Sequence, residues 1–401
     1  MNPLFQAALK PLVAAALLAL SLGEQIRAQN LVEDPGNGEV LPPIQITAAY
    51  ASNWTFSAWV STTPAAHPAT RMIQQKLESH VRIFLEGYPW RPLHLTLGIS
   101  GHEVCFGHPD ELFYALALAH RFLSPSTQAS AARLLDNCVN RLPPYAVEGF
   151  SPQTSRPRES YDVPENLRST RPVRANSLFG VYAFWLYCHE FNLPDTARAH
   201  WPKIQERIRG VPISQAAFDP RKDSDAKDEA EALNGNLAGW LGYARLARMV
   251  GDSQAETTAL GRLQTLLETR INYERVRPRI LTPTSSTSKH LHITKLARYC
   301  YLTPEIARAL RQRTEGCSAR RLQVFREARP GWFMAFGDRY IGGENYTSPP
   351  HLAQALFLGA AWIELLPPRD LSDCLDVPWC QGDFYFLEKC AAILAGPAYS
   401  S

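Results

Sequence analysis

The chain has 401 residues and a formal net charge of +3 at pH 7, with 45% hydrophobic and 20% charged residues. This composition is that of a globular protein and excludes a chain too polar to build a core. The net charge is small and no run of Lys or Arg occurs, so we expect no nucleic-acid partner.

The first 28 residues have the pattern of a secretory signal peptide. Lys10 supplies a positive charge, residues 11–22 are mostly apolar, and Ile26-Arg27-Ala28 offers a cleavage site. The apolar stretch is short for a transmembrane helix, which favours a cleaved signal over an uncleaved anchor. We therefore expect a mature, monomeric protein that begins near Gln29, is secreted or periplasmic, and has no membrane contact after cleavage.

The cysteine content is consistent with export. The chain has eight cysteines, at positions 105, 138, 188, 300, 317, 374, 380 and 390. Their even number permits up to four disulfides in an oxidising compartment. The alternative for Cys188 and Cys300 is a buried free thiol on a helix. No CxxC pair or zinc-site spacing occurs, so we expect no structural zinc and no other metal. No GxGxxG or P-loop motif occurs, and we expect no cofactor.

The mature chain begins with a Pro- and Thr-rich extended lead-in over residues 29–63. A single helical domain is predicted from there to residue 401, because apolar residues recur with a period near 3.6. Prolines at Ser124-Pro125 and Thr303-Pro304 mark two helix starts. Helices are predicted near 65–86, 109–123, 126–141, 175–192, 196–208, 228–250, 253–270, 289–300, 303–314, 318–328, 349–366 and 384–395.

Twelve helices in antiparallel pairs predict six hairpins. Such hairpins can close into an all-α (α/α)6 toroid, in which an inner ring of helices surrounds a funnel. An open α-solenoid is the alternative, and the lack of a strict sequence repeat favours the toroid. Short connections such as Gly251-Asp252 alternate with long ones, as expected when one end of a toroid carries the site. The long connections are predicted at 87–108, 142–174, 209–227, 271–288 and 329–348.

Residues 331–354 read GWFMAFGDRYIGGENYTSPPHLAQ, a loop rich in glycine, aromatic residues and acids. Aromatic rings such as those of Trp332, Tyr340 and Tyr346 can stack on a sugar, and carboxylates bind its hydroxyl groups or move protons. Glu344 and Asp338 are therefore the first catalytic candidates, and the three aromatic residues are substrate-binding candidates. The alternative is a structural corner between two helices.

Two helix-associated runs carry a family resemblance. Residues 234–240 read NGNLAGW and residues 176–180 read NSLFG. They resemble helix starts of six-hairpin carbohydrate-active enzymes, such as unsaturated glucuronyl hydrolases and toroid polysaccharide lyases. The resemblance implies a toroid fold and a carbohydrate substrate, with Asn236, Trp240 and Asn176 as contacts. The arginine of the family's RGNGW-like run is absent here, and no catalytic aspartate of the family aligns with this chain.

A second carboxylate is expected just before the NGNLAGW run. Hydrolysis of a glycosidic bond uses one protonated and one ionised carboxyl group. Asp228 and Glu231 lie one to two turns before Asn236 and could supply the partner of Glu344 or Asp338. The alternative for these acids is helix capping.

Further polar residues leave the reaction type open. Arg174 closes an arginine-containing Pro-rich loop that could contact an anionic glycan, although such arginines often pair locally. His102 and His351 are candidate partners for sugar hydroxyls, with surface or capping roles as the alternative. The HExxxxH spacing that begins at His102 is not the HExxH spacing of a metal site.

Three functions follow from these features. Hydrolysis by a carboxylate pair leads. Eliminative cleavage of a uronate-containing glycan is second and would use a base such as Tyr182 or His189, with Arg174 or Asn176 at the substrate carboxylate. The third is a toroid that binds glycan or protein without chemistry.

Overall fold

The computed structural model describes residues 70–87, 92–94, 99–100, 109–140, 143–145, 178–209, 226–275 and 302–313, and positions 387, 388, 390, 391 and 394. These residues are almost entirely helical, which confirms the predicted all-α class. The leader, the lead-in and the helices predicted near 289–300, 318–328 and 349–366 lie outside the described residues.

Eight α-helices occur within the described ranges, and their positions agree with the predicted ones to within a few residues. A short antiparallel hairpin, β1 (Pro92–His94) and β2 (Ile99–Ser100), lies between the first two helices. The 3-10 turn His120–Phe122 follows the second helix. The helices are α1 (Thr70–Gly87), α2 (Pro109–Ala119), α3 (Pro125–Val139), α4 (Phe179–Glu190), α5 (Pro194–Arg209), α6 (Ala226–Val250), α7 (Ser253–Arg275) and α8 (Pro304–Arg313).

Residues predicted to start and stop helices do so in the structure, through local contacts at the helix ends. Pro125 opens α3 at its first position, after the extended Ser124. Thr303 precedes α8, and its hydroxyl accepts a hydrogen bond from the Ile306 amide at 3.4 Å. Gly251 ends α6 with φ +85°, a conformation that suits glycine. Asp252 then caps α7 by accepting the Ala255 amide at 3.0 Å.

The helices form an inner and an outer layer. Residues 179–188 of α4 are all buried, as are residues 112–119 of α2 and 237–247 of α6. The helices α1, α3, α5 and α7 instead bury one face at helical spacing, as Ile73, Leu77, Val81 and Phe84 do on α1. Inner and outer helices alternate along the chain from α1 to α7, and α8 is also mostly buried.

The inner helices α2, α4 and α6 run parallel to one another. On α2, Tyr114 contacts Phe179 near the start of α4, whereas Arg121 beyond α2 pairs with Glu190 at its end. On α6, a Cβ at Gly239 would lie 2.1 Å from Leu178 Cβ, and one at Gly242 would lie 2.5 Å from Tyr182 Cα. Further along, Arg245 lies over the Trp185 ring. In each pair, contacts made by later residues of one helix involve later residues of the other, so the two helices are parallel.

The described cysteines are buried. Cys188 is a free thiol on α4, as one of the two interpretations predicted, and burial raises the pKa of this thiol. Cys138 on α3 and Cys390 are also buried. The other five cysteines lie outside the described residues, so the disulfides remain a prediction. No helix within the described ranges is long and apolar enough to cross a membrane.

Candidate functional site

Connection lengths differ between the two ends of the inner layer. The chain passes from inner to outer helices through short turns, at residues 120–124, 191–193 and 251–252. It returns from outer to inner helices through residues 88–108, 140–178 and 210–225. Since α2, α4 and α6 are parallel, these three long connections enter the inner layer at one end. That end, the N-terminal end of the inner helices, is where loop-borne functional residues can gather.

Most of the predicted site residues lie outside the described residues. His102 lies in the connection that enters α2, and Arg174 and Asn176 lie in the one that enters α4. These three are outside the described residues. The same holds for the candidates in the glycine- and aromatic-rich loop and just after it, namely Trp332, Asp338, Tyr340, Glu344, Tyr346 and His351.

The predicted carboxylates Asp228 and Glu231 lie in the first two turns of α6, at the N-terminal end of the inner layer. Glu231 precedes Ala238 and Arg245 by about two and four turns, so these three positions share one face of the helix. Arg245 on that face contacts Trp185 of α4 and Glu305 of α8. The position of Glu231 is therefore on the face of α6 that is turned towards the neighbouring inner helices.

The NGNLAGW run lies inside α6, since the helix begins at Ala226. The run begins about two turns inside the helix, as the helix predicted near 228–250 implied. The acidic, alanine-containing segment before the run consists of adequate helix formers and extends the helix by two turns. The NSLFG run does open a helix, because Leu178 precedes the first residue of α4.

Asn236 and Trp240 lie on a different face of α6. Trp240 is only 5% exposed, and its ring meets Tyr243 edge-on at 5.6 Å. Tyr243 in turn stacks on Trp201 of the outer helix α5 at 4.8 Å. The buried Asn236 Oδ1 and Trp240 Nε1 atoms have no hydrogen-bond partner among the described residues. This face points to the outer layer, so the Trp240 ring is not available to stack on a sugar.

A polar cluster lies buried between three inner helices, and sequence reasoning missed most of it. The Tyr182 hydroxyl of α4 donates to Glu305 of α8 at 3.0 Å, and Arg245 of α6 forms an ion pair with the same carboxylate. The Arg245 guanidinium also lies 4.2 Å from the centre of the Trp185 ring. We call Tyr182, Trp185, Arg245 and Glu305 the inner-layer polar cluster. It joins α4, α6 and α8 at one point.

The environment of the cluster suits a structural role. Burial raises the pKa of Tyr182 well above its ordinary value, and the adjacent Glu305 carboxylate raises it further. A tyrosine with a raised pKa holds its proton more tightly, which disfavours Tyr182 as the base of an elimination. Arg245 and Glu305 are 5% and 2% exposed at the side chain. The three groups satisfy one another, as buried charges must.

His189, the other base candidate, lies at the opposite end of α4 from the long connections. Its ring stacks on Trp185 at 5.2 Å and is about half exposed. Burial lowers the pKa of His189, and the nearby Glu190 opposes that shift. A neutral histidine here could accept a proton, but the position is remote from the loop-bearing end.

The sequence carried only weak signals for the cluster. Glu305 follows Thr303-Pro304 and reads as an ordinary acid in the first turn of a helix. Arg245 interrupts the apolar run of α6. A charged residue within an otherwise buried run needs a partner, and this is the one local sign of the cluster in the sequence. Only helix packing identifies that partner.

The described residues contain no group of three or more His, Cys, Asp or Glu side chains placed to hold a metal ion. Comparison of the chain with protein-family models, curated proteins and solved structures finds no match.

Proposed function

We propose that this protein is an exported carbohydrate-active enzyme that cleaves glycosidic bonds, built on an (α/α)6 toroid with its site at the N-terminal end of the inner helices. The observation that carries the proposal is the one-sided distribution of connections. Long connections enter the inner helices, whereas short turns leave them. An enzyme needs variable loops grouped at one end of a rigid scaffold, and this arrangement supplies them.

The alternation of buried and amphipathic helices supports the toroid. An inner helix of a closed ring is covered by outer helices and by its neighbours in the ring, and residues 179–188 of α4 are all buried. The inner helix of an open solenoid would leave a concave face in solvent. The burial of residues 179–188 of α4 and of residues 237–247 of α6 therefore favours the closed ring.

Carboxylate hydrolysis is the proposed chemistry. Glu231 lies at the loop-bearing end, at a position on the inward face of α6. Glu344, from the loop of residues 331–354, is its proposed partner, with Asp338 and Asp228 as the neighbouring alternatives. One carboxyl group protonates the glycosidic oxygen while the other acts on the opposite face of the sugar, as base or nucleophile.

Eliminative cleavage is the second candidate. The arginines that precede α4 favour it, because they suit a uronate carboxylate. The protonated, buried state of Tyr182 and the remote position of His189 weigh against it. A toroid that binds glycan without chemistry is the third candidate and shares the same loop-bearing end.

A glycan panel tests the proposal. Purified mature protein is incubated with neutral and uronate-containing glycans, and new reducing ends and the absorbance of unsaturated products are followed in parallel. Hydrolysis yields reducing ends without absorbance, whereas elimination yields both. Glu231→Gln and Glu344→Gln should each lower kcat by about 10²–10⁴-fold.

The matched control is Glu206→Gln, the same substitution at an exposed position on the outer helix α5. It should leave kcat unchanged. Full turnover in both test variants would remove these glutamates from the mechanism. Glycan binding by calorimetry without any product would favour the non-catalytic candidate.

A further inference from the structure

A three-residue segment, residues 143–145, is held between α4 and α5. All three residues are buried, although they belong to the long connection between α3 and α4. Pro144 passes so close to the first turn of α4 that a Cβ at Gly180 would lie 1.9 Å from the Pro144 carbonyl oxygen. Glycine at position 180 therefore permits the contact.

Tyr145 attaches this segment to the outer helix. Its hydroxyl lies 2.6 Å from Nδ1 of His200, and His200 is only 6% exposed. The Phe184 ring of α4 lies 5.3 Å from the Tyr145 ring and 5.2 Å from the His200 ring. Three rings from three parts of the chain thus meet around one buried hydrogen bond.

The charge of His200 decides how favourable this buried contact is. Burial lowers the pKa of His200, and the Lys203 ammonium lowers it further, so the imidazole is neutral at pH 7. A neutral Nδ1 can accept a hydrogen bond from the Tyr145 hydroxyl, whereas a protonated Nδ1 can only donate to it and brings a positive charge into a site that is 6% exposed. Among the described residues, the titratable groups that face His200 are Tyr145 from the segment and Lys203 from α5 itself, and α4 presents the uncharged Phe184 ring.

We propose that Tyr145 and His200 form a pH-sensitive clamp, which holds residues 143–145 against α5 while His200 is neutral and releases them when His200 is protonated. The inference does not depend on the proposed function. Residues 143–145 contact the first turn of α4 through Pro144, so this contact becomes acid-sensitive.

The direction of the pH effect follows from the linkage between proton binding and folding. The folded state binds fewer protons at His200 than the unfolded state does, so the attachment is complete above the ordinary histidine pKa of about 6.5 and weakens as pH falls below it. A protonated imidazole at this buried position lacks the hydration that it would have in water, and it places a second positive charge near Lys203. Both effects favour an open segment in acid.

Hydrogen exchange of the full chain, corrected for the intrinsic pH dependence of exchange, tests the clamp. Protection of peptides that cover residues 143–145 should fall at least about tenfold between pH 7.5 and pH 5. His200→Asn keeps an acceptor near the Nδ1 position but cannot titrate, so its protection should stay constant. Tyr145→Phe should give low protection at both pH values.

The matched control is His189→Asn, which removes a half-exposed histidine that stacks on Trp185 and is remote from the clamp. It should keep the wild-type pH dependence at residues 143–145. Unchanged wild-type protection across this range would overturn the proposal without any variant. So would an equal pH response in His200→Asn.

Discussion

Removing Arg245 should destabilise the protein strongly, because its partner would remain as a buried charge. The Glu305 side chain is 2% exposed, and without Arg245 it would lose its ion-pair partner while it keeps the hydrogen bond from Tyr182. Breaking a buried ion pair on one side costs about 3–5 kcal/mol. Arg245→Met retains most of the apolar volume, so the loss comes from the charge and from the contact with the Trp185 ring.

A second substitution separates charge from packing. In the double variant Arg245→Met/Glu305→Gln, the amide still accepts the Tyr182 hydroxyl but carries no charge. The double variant should therefore be more stable than Arg245→Met alone by at least about 1 kcal/mol. Arg248→Met is the control, since Arg248 is exposed and its ion pair with Glu256 should contribute less than about 1 kcal/mol.

The assay is urea unfolding of the mature protein followed by tryptophan fluorescence, with linear extrapolation to water. Two results would refute the reasoning. One is a loss below about 1 kcal/mol for Arg245→Met, which would mean that water reaches the stranded carboxylate. The other is a double variant whose loss of unfolding free energy equals the sum of the losses in Arg245→Met and Glu305→Gln. Independent effects add, whereas the effects of a coupled pair do not.

Three further outcomes are expected. Gly239→Ala should lower the free energy of unfolding by about 1–3 kcal/mol, because the added methyl group would clash with Leu178. Gly261→Ala has open space around the added methyl group and should raise the free energy of unfolding by about 0.5–1 kcal/mol. Both values are measured by urea unfolding. Burial alone would raise the pKa of Glu78, but hydrogen bonds from Ser124 and Thr127 lower it overall. The stability that Glu78 contributes should therefore be present above the ordinary glutamate pKa of about 4.3 and be lost as pH falls through the lower folded pKa. Glu78→Gln should flatten the dependence of thermal stability on pH in that range. N-terminal sequencing of exported material should begin near Gln29, and a retained leader would contradict cleavage.

Helix positions were predictable because they depend on near neighbours. The 3.6-residue apolar period, the proline starts and the break at Gly251-Asp252 act over one or two turns. The described helices accordingly agree with the expected ones to within a few residues. The alternation of long and short connections was also readable from spacing alone.

The orientation of side chains towards particular neighbours was not predictable in the same way. Trp240 was expected to contact a sugar, but its ring is buried near Tyr243 and the outer helix α5. A tryptophan on a buried helix has the same local sequence whichever neighbour it meets. The assembly of the outer and inner layers decides which one that is.

The sequence by itself determined the all-α class, the helix bounds and the uneven connections, because propensity, capping and periodicity are local. Only the tertiary structure decided that Arg245 pairs with Glu305, sixty positions apart, and that Tyr182 completes the contact. It also decided that Gly239 and Gly242 are the points where α6 meets α4 backbone to backbone. These contacts join segments that are distant in the chain, and they form only when packing of the apolar faces brings the helices into register.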